Sequence, residues 1–194
     1  MKNYFILICL FCVAYSTAAQ QIPSKEIQIK TALLAAPDEL KDGAMVYGYD
    51  DKGEFLVLRK GSNDLICLAD DPNSPGFNAS CYYKGLDEFM ERGRQLRKEG
   101  KNAKEIFDIR EEEVKSGKLK IKDGATLFVL TADDEDYDRE KGEVNNSYLR
   151  YVVYLPWATA ESTGLPLRPS GPAMPWIMDP GTHRAHIMIN PPRD

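Results

Sequence analysis

The chain has 194 residues, 43% of them hydrophobic, with 25 basic against 30 acidic side chains and a formal net charge of −5 at pH 7. That length supports a single sizeable core. The mildly acidic, mixed surface gives no electrostatic reason to expect DNA, RNA or anionic lipid as a partner.

The start reads as a secretory signal. Lys2 supplies a positive charge, an apolar run follows from Phe5 to Ala14, and Thr17 and Ala19 are the small residues that a signal peptidase takes at a cleavage site. Ten apolar residues are too few to span a bilayer, which needs about twenty. The expectation is a signal peptide over 1–19, a new N-terminus at Gln20, and one globular domain over 20–194 that is periplasmic or secreted, with no membrane insertion after cleavage.

Cleavage at that point removes Cys9 and Cys12 and leaves Cys67 and Cys81. In an oxidising compartment a disulfide between them is the default, and closing a loop of this size stabilises a fold by roughly 3 kcal/mol. Metal ligation by the pair is the alternative, although two cysteines alone do not make a zinc site.

Residues 20–36 are ambiguous. Ser24 can cap a helix that Pro37 stops, yet Glu26–Lys30 also alternates like a strand. From Ala44 to Arg59, two apolar runs flank the polar turn Asp50–Gly53, as in a β-hairpin. A further turn leads into Leu65–Ala69, so three antiparallel strands in meander order are predicted. Asp70–Phe77 is a loop containing Pro72, Pro75 and Gly76. Two helices follow. Leu86, Phe89, Met90, Gly93 and Leu96 form one apolar stripe; Ala103, Ile106, Phe107 and Val114 form the next, with Asn102 and Glu105 as a capping pair.

Ala125–Thr131 and Tyr148–Leu155 are nearly continuous in apolar character, which suits central strands covered on both faces. Between them runs the acidic connection Asp133–Val144. Beyond Pro156 the chain becomes Pro-rich and loop-like, with a terminal strand over His186–Asn190. The predicted class is α+β: a mainly antiparallel sheet with a two-helix layer on one face and a long Pro-rich C-terminal loop region.

Asp134, Asp136 and Asp138 alternate as the first ligands of a calcium loop do. Arg139 stands where that loop needs its glycine and Asn145 where it needs a glutamate, so the stretch reads as a solvated loop. Met174, Met178, His183 and His186 are thioether and imidazole donors clustered near the C-terminus, a set that suits copper or an axial haem ligand pair. Methionine also fills irregular cores. Ser162 with His183 or His186 and Asp179 has the composition of a hydrolase triad, without any nucleophile-elbow context. Glu88 and Glu91 are acids on a wet helix face. Asn78-Ala79-Ser80 and Asn145-Asn146-Ser147 match the glycosylation acceptor triplet.

The stretch Leu58-Arg59-Lys60-Gly61-Ser62-Asn63 through Cys67, Asp70-Asp71-Pro72, Pro75-Gly76 and Cys81 resembles exported bacterial proteins of unassigned function. These carry a Leu-Arg, Gly-Thr-Asn, Cys, Asp-x-Pro, Pro-Gly, Cys pattern. Ser62 replaces the threonine here, and Asp64 stands in place of a glycine. The resemblance implies a bacterial envelope setting and Cys67–Cys81 as a framework pair. It brings no activity.

The first functional expectation is therefore a non-enzymatic binding module that takes a ligand or protein partner through the loops Asp70–Gly76 and Pro156–His183, set on one edge of the sheet. Ordered loops on a scaffold are where function concentrates. Trp157 and Trp176 fall in that second region and can serve as recognition anchors or as plugs of the core. The alternative is a copper- or haem-binding protein using the Met/His cluster, and the third reading is a small hydrolase.

Overall fold

The computed structural model describes residues 22–192, so the expected signal peptide and its cleavage site lie outside the described residues. Ten strands and four α-helices are present among those described.

Helix α1, Lys25–Ala32, starts at Ser24, whose hydroxyl accepts the Ile27 N–H at 3.3 Å. The alternation that suggested a strand comes from polar residues that the fold buries. Gln28 lies inside, where its amide donates to the carbonyls of Pro23 and Tyr49 and accepts the Tyr49 N–H at 2.8 Å. Those bonds dock α1 on the first strand, β1 (Met45–Tyr49).

Strand β2 (Phe55–Arg59) pairs antiparallel with β1, as the hairpin pattern predicts. Strand β3 (Leu65–Leu68) corrects the expected meander, because it runs parallel to β1 on the side away from β2. The connection passes beneath the start of β1: Ser62 and Asn63 donate to the Gly43 carbonyl at 2.8 and 3.1 Å. Gly61 makes the crossing possible, since a Cβ there would sit 2.6 Å from the Met45 nitrogen. Turn composition announces a reversal without saying on which side of β1 the chain returns.

The expected loop Asp70–Phe77 gives way at Phe77 to β4, Phe77–Tyr83, an unpredicted central strand between β3 and β5 (Thr126–Ala132). Phe77, Ala79 and Cys81 face inward while Asn78 is exposed, a period-two pattern typical of a strand. Cys67 and Cys81 are direct register partners on β3 and β4 and form the disulfide.

The helical pair is α2 (Asp87–Lys98) and α3 (Ala103–Lys115), the latter opened by the Asn102/Glu105 capping box. Beyond β5, the short hairpin β6 (Tyr137–Asp138) and β7 (Glu143–Val144) occupies the acidic connection. Strand β8 (Tyr148–Tyr154) follows, then the short helix α4 (Ala160–Thr163), β9 (Trp176–Met178) and β10 (His186–Ile189).

The eight-stranded sheet has the order β2-β1-β3-β4-β5-β8-β10-β9. One apolar layer, built on Ala32, Ala35, Val46, Cys67, Phe77 and Leu130, lies under α1. The other, containing Ile66, Tyr82, Leu86, Phe89, Val152 and Tyr154, lies under α2 and α3. The fold is α+β with a mainly antiparallel sheet, and no helix among the described residues is long and apolar enough to cross a membrane.

Candidate functional site

The register separates the two loops expected to work together. Phe77 pairs with Ala132 and Thr131 with Tyr148, so the Asp70–Gly76 loop sits at the far end of the strands from Tyr154 and the residues that follow it. The expected common edge is therefore corrected, because β4 and β8 are both antiparallel to β5 and the two loops leave opposite ends of the central strands. Asp70 is buried at its end and accepts the Asn78 N–H at 2.8 Å, and burial pushes its carboxyl up to about 6.

At the other end the chain leaves β8 through a reverse turn, closed by the Ala158 N–H donating to the Leu155 carbonyl at 3.0 Å. Pro156 takes the second turn position. Trp157 takes the third with φ +67°, a left-handed conformation for which that position normally recruits glycine. For a residue with a Cβ this costs about 1–2 kcal/mol. Three backbone bonds to the returning chain hold it there: Leu155 N–H to Ala185 O at 2.9 Å, Trp157 N–H to Thr182 O at 2.8 Å, and Gly181 N–H to Ala158 O at 2.8 Å. Asp179, in the same returning segment, is also left-handed with φ +50°. Its carboxylate pairs with Arg184 at 2.7 Å. Strain of this kind persists only where surrounding structure over-determines it, and it concentrates at functional sites.

The turn thrusts the Trp157 ring outward, where it is 41% exposed. It borders a groove of about 530 Å³ whose apolar lining includes Val114, Leu119, Ile121 and Pro156. Lys84, Lys120 and Lys122 also line it, against Glu88 and Asp123. Two segments build this wall. The 3-10 turn Lys84–Leu86 follows β4, and the stretch after α3 begins at left-handed Gly117. The Lys122 N–H donates to the Gly85 carbonyl at 3.3 Å, which stitches the two together. Lys84 pairs with Asp64 at 2.6 Å, whereas Lys120 and Lys122 make no ion pair among the described residues.

A polar chain runs inward from the groove. The Lys115 ammonium stands 6.0 Å from the centre of the Trp157 ring and 2.7 Å from Glu111. The other Glu111 oxygen accepts from His183 Nδ1 at 3.2 Å. His183 is fully buried, with its ring 4.8 Å from Phe107 and 5.8 Å from Phe89. Burial lowers its pKa, partly offset by the Glu111 carboxylate. With Nδ1 donating, Nε2 carries the lone pair, and it has no partner among the described residues.

The residues of the Met/His cluster are distributed over this region. Met174 is 51% exposed in the segment before β9, and His183 points under the helices. Met178 and His186 stand directly opposite one another on β9 and β10. Among the described residues no group of three or more His, Cys, Asp or Glu side chains is arranged to hold a metal ion.

The residues of the hydrolase composition are hydrogen-bonded to other groups and not to one another. The Ser162 hydroxyl accepts the Thr159 N–H at 2.9 Å and donates to the Thr159 carbonyl at 3.2 Å as part of the α4 cap, so its partner is neither histidine. Asp138 accepts the Glu140 and Lys141 N–H groups, and Asp136 accepts from the Asn146 amide at 2.6 Å. Trp176 lies half-buried on β9, opposite Met188 and away from the Trp157 turn.

Of the residues expected to bind, Trp157 is at the groove. The lysines beside it were not anticipated. Their signal was the alternation Lys118-Leu119-Lys120-Ile121-Lys122, which interleaves basic and apolar side chains along the same wall of the groove. A second groove of about 370 Å³ lies between the start of α1 and β2, bordered by Ile22, Gln28, Tyr49 and Val57. Asp50, Asp51 and Lys25 are its charged groups, and none of its lining residues has a left-handed backbone. The chain matches no known family model, no curated protein and no solved structure.

Proposed function

We propose that the chain is a non-enzymatic binding module, exported to the periplasm or beyond, whose working surface is the Trp157 groove. Its ligand is an anion with a flat apolar or sugar-ring face. The ring face stacks on the Trp157 indole, and the acidic groups meet Lys120 and Lys122. The observation that carries this reading is the left-handed Trp157, a bulky residue kept exposed at a glycine position over a lysine-lined apolar groove. Neither folding nor solubility favours tryptophan there. The Cys67–Cys81 disulfide supports an exported, oxidising setting. The separate partners of Ser162, His183 and Asp179, which are Thr159, Glu111 and Arg184, favour binding over hydrolysis.

The test is Trp157→Gly. Relief of the backbone strain is expected to leave stability unchanged or raised by up to about 1 kcal/mol. Calorimetric binding of an acidic oligosaccharide such as oligogalacturonate is expected to disappear, with a neutral oligosaccharide as control. If the glycine variant binds the acidic probe as well as the original chain does, or if neither form binds it, the reading is wrong.

A further inference from the structure

Strands β9 and β10 carry a second juxtaposition, independent of the groove. His186 is in register with Met178, and Met188 with Trp176. Directly opposed residues share a face of the sheet, as do residues two apart on one strand. One face of this two-stranded edge therefore presents a square of four side chains, with His186 and Met178 above and Met188 and Trp176 below. It is the face that carries Tyr154, whose ring lies 5.4 Å from that of His186.

The donor chemistry of the square is specific. His186 Nδ1–H donates to the Arg184 carbonyl at 2.7 Å, which leaves the Nε2 lone pair available and fixes the ring's orientation. Burial holds the imidazole pKa below its ordinary value. Met178 is 38% exposed, so its corner of the square is reachable from solvent, while Met188 packs against the core beside Val152 and Tyr154. One imidazole and two thioethers form a soft set that takes Cu(I) in preference to hard cations. The Trp176 indole beside them offers a π-face to a cation. Arg184, whose charge acts on His186, is paired with Asp179 at 2.7 Å. The connection from Met178 to His186 is tied by Thr182 Oγ1 donating to the Asp179 carbonyl at 2.8 Å, which limits how far the two strands can separate.

We infer that His186, Met178 and Met188, roofed by Trp176, form a binding site for Cu(I) or another soft monovalent cation. His183 and Met174 take no part: the first is committed to Glu111 beneath the helices, and the second lies outside the paired strands.

Ag(I), which mimics Cu(I) without redox chemistry, is the probe. Titration into the mature chain over 20–194, which lacks the thiols of Cys9 and Cys12, carrying Trp157→Phe isolates the emission of Trp176. The expected result is saturable quenching at one equivalent. Met178→Leu and Met188→Leu, which keep side-chain volume, and His186→Ala are each expected to weaken binding about tenfold or more. Met174→Leu is expected to change nothing. The site is overturned if Ag(I) fails to quench, if Met178→Leu binds as tightly as the parent, or if Met174→Leu abolishes binding. Because Met178 is exposed, its leucine variant folds and keeps the test decisive even where His186→Ala does not.

Discussion

At the scale of single residues, Trp157 and Asp70 show opposite ends of the same problem. Trp157 spends conformational energy to remain outside, in a backbone geometry that glycine would occupy freely. Asp70 is drawn inside to accept the N–H of Asn78, the second residue of β4, and burial raises its carboxyl to about 6. Because that value lies above the unfolded carboxylate range near 4, the folded state holds the proton more tightly than the unfolded chain. This contribution to stability is complete below about pH 4 and is lost as pH rises through about 6. Asp70→Asn keeps an oxygen acceptor and removes the charge. It is expected to raise stability at pH 7 by roughly 1–3 kcal/mol and to change it little at pH 4. Urea melts at the two pH values read this directly; equal effects at both would refute the burial argument. Neither feature is legible from residue type, because Trp157 and Asp70 are distinguished only by backbone angle and by what covers them.

Elements were legible in proportion to how regular their patterning is. The stripes of α2 and α3, the capping box at Asn102, and the apolar runs of β5 and β8 all appear where the sequence places them. α1 was ambiguous because its inward positions include two polar residues: Gln28, which bonds to Tyr49 on β1, and Thr31, whose hydroxyl donates back to the Ile27 carbonyl. β4 was missed although Phe77, Ala79 and Cys81 alternate with polar residues, since the prolines and glycine just before it suggested that the loop continued. The parallel pairing of β1 and β3 is the least local feature, and it depends on the crossing at Gly61. Gly61→Ala places a methyl carbon against backbone that cannot yield easily, and a loss of roughly 1–3 kcal/mol is expected. Thermal unfolding of this variant checks it. An unchanged melting temperature would mean that the crossover is looser than described.

On the scale of the whole molecule, a chain of net charge −5 gathers Lys84, Lys120 and Lys122 at one groove. An anionic ligand bound there must approach against the average field and is held by exposed cations. Affinity for an acidic probe is therefore expected to fall severalfold between about 50 and 500 mM salt, because the screening length shrinks from beyond the width of such a groove to a few ångströms. Calorimetry across that range tests this, and a salt-independent affinity would place the binding energy in stacking alone.

Cys67 and Cys81, the helix stripes and the strand runs are properties of composition and short-range order, so the α+β class and the disulfide were determined by the sequence alone. Only the tertiary structure decided which side of β1 receives β3, that the Asp70 loop and the Trp157 turn lie at opposite ends of the sheet, and that His186 faces Met178 while His183 turns inward to Glu111. These depend on strand register and on chain crossings between residues distant in sequence, and a local pattern of residue types carries no record of either.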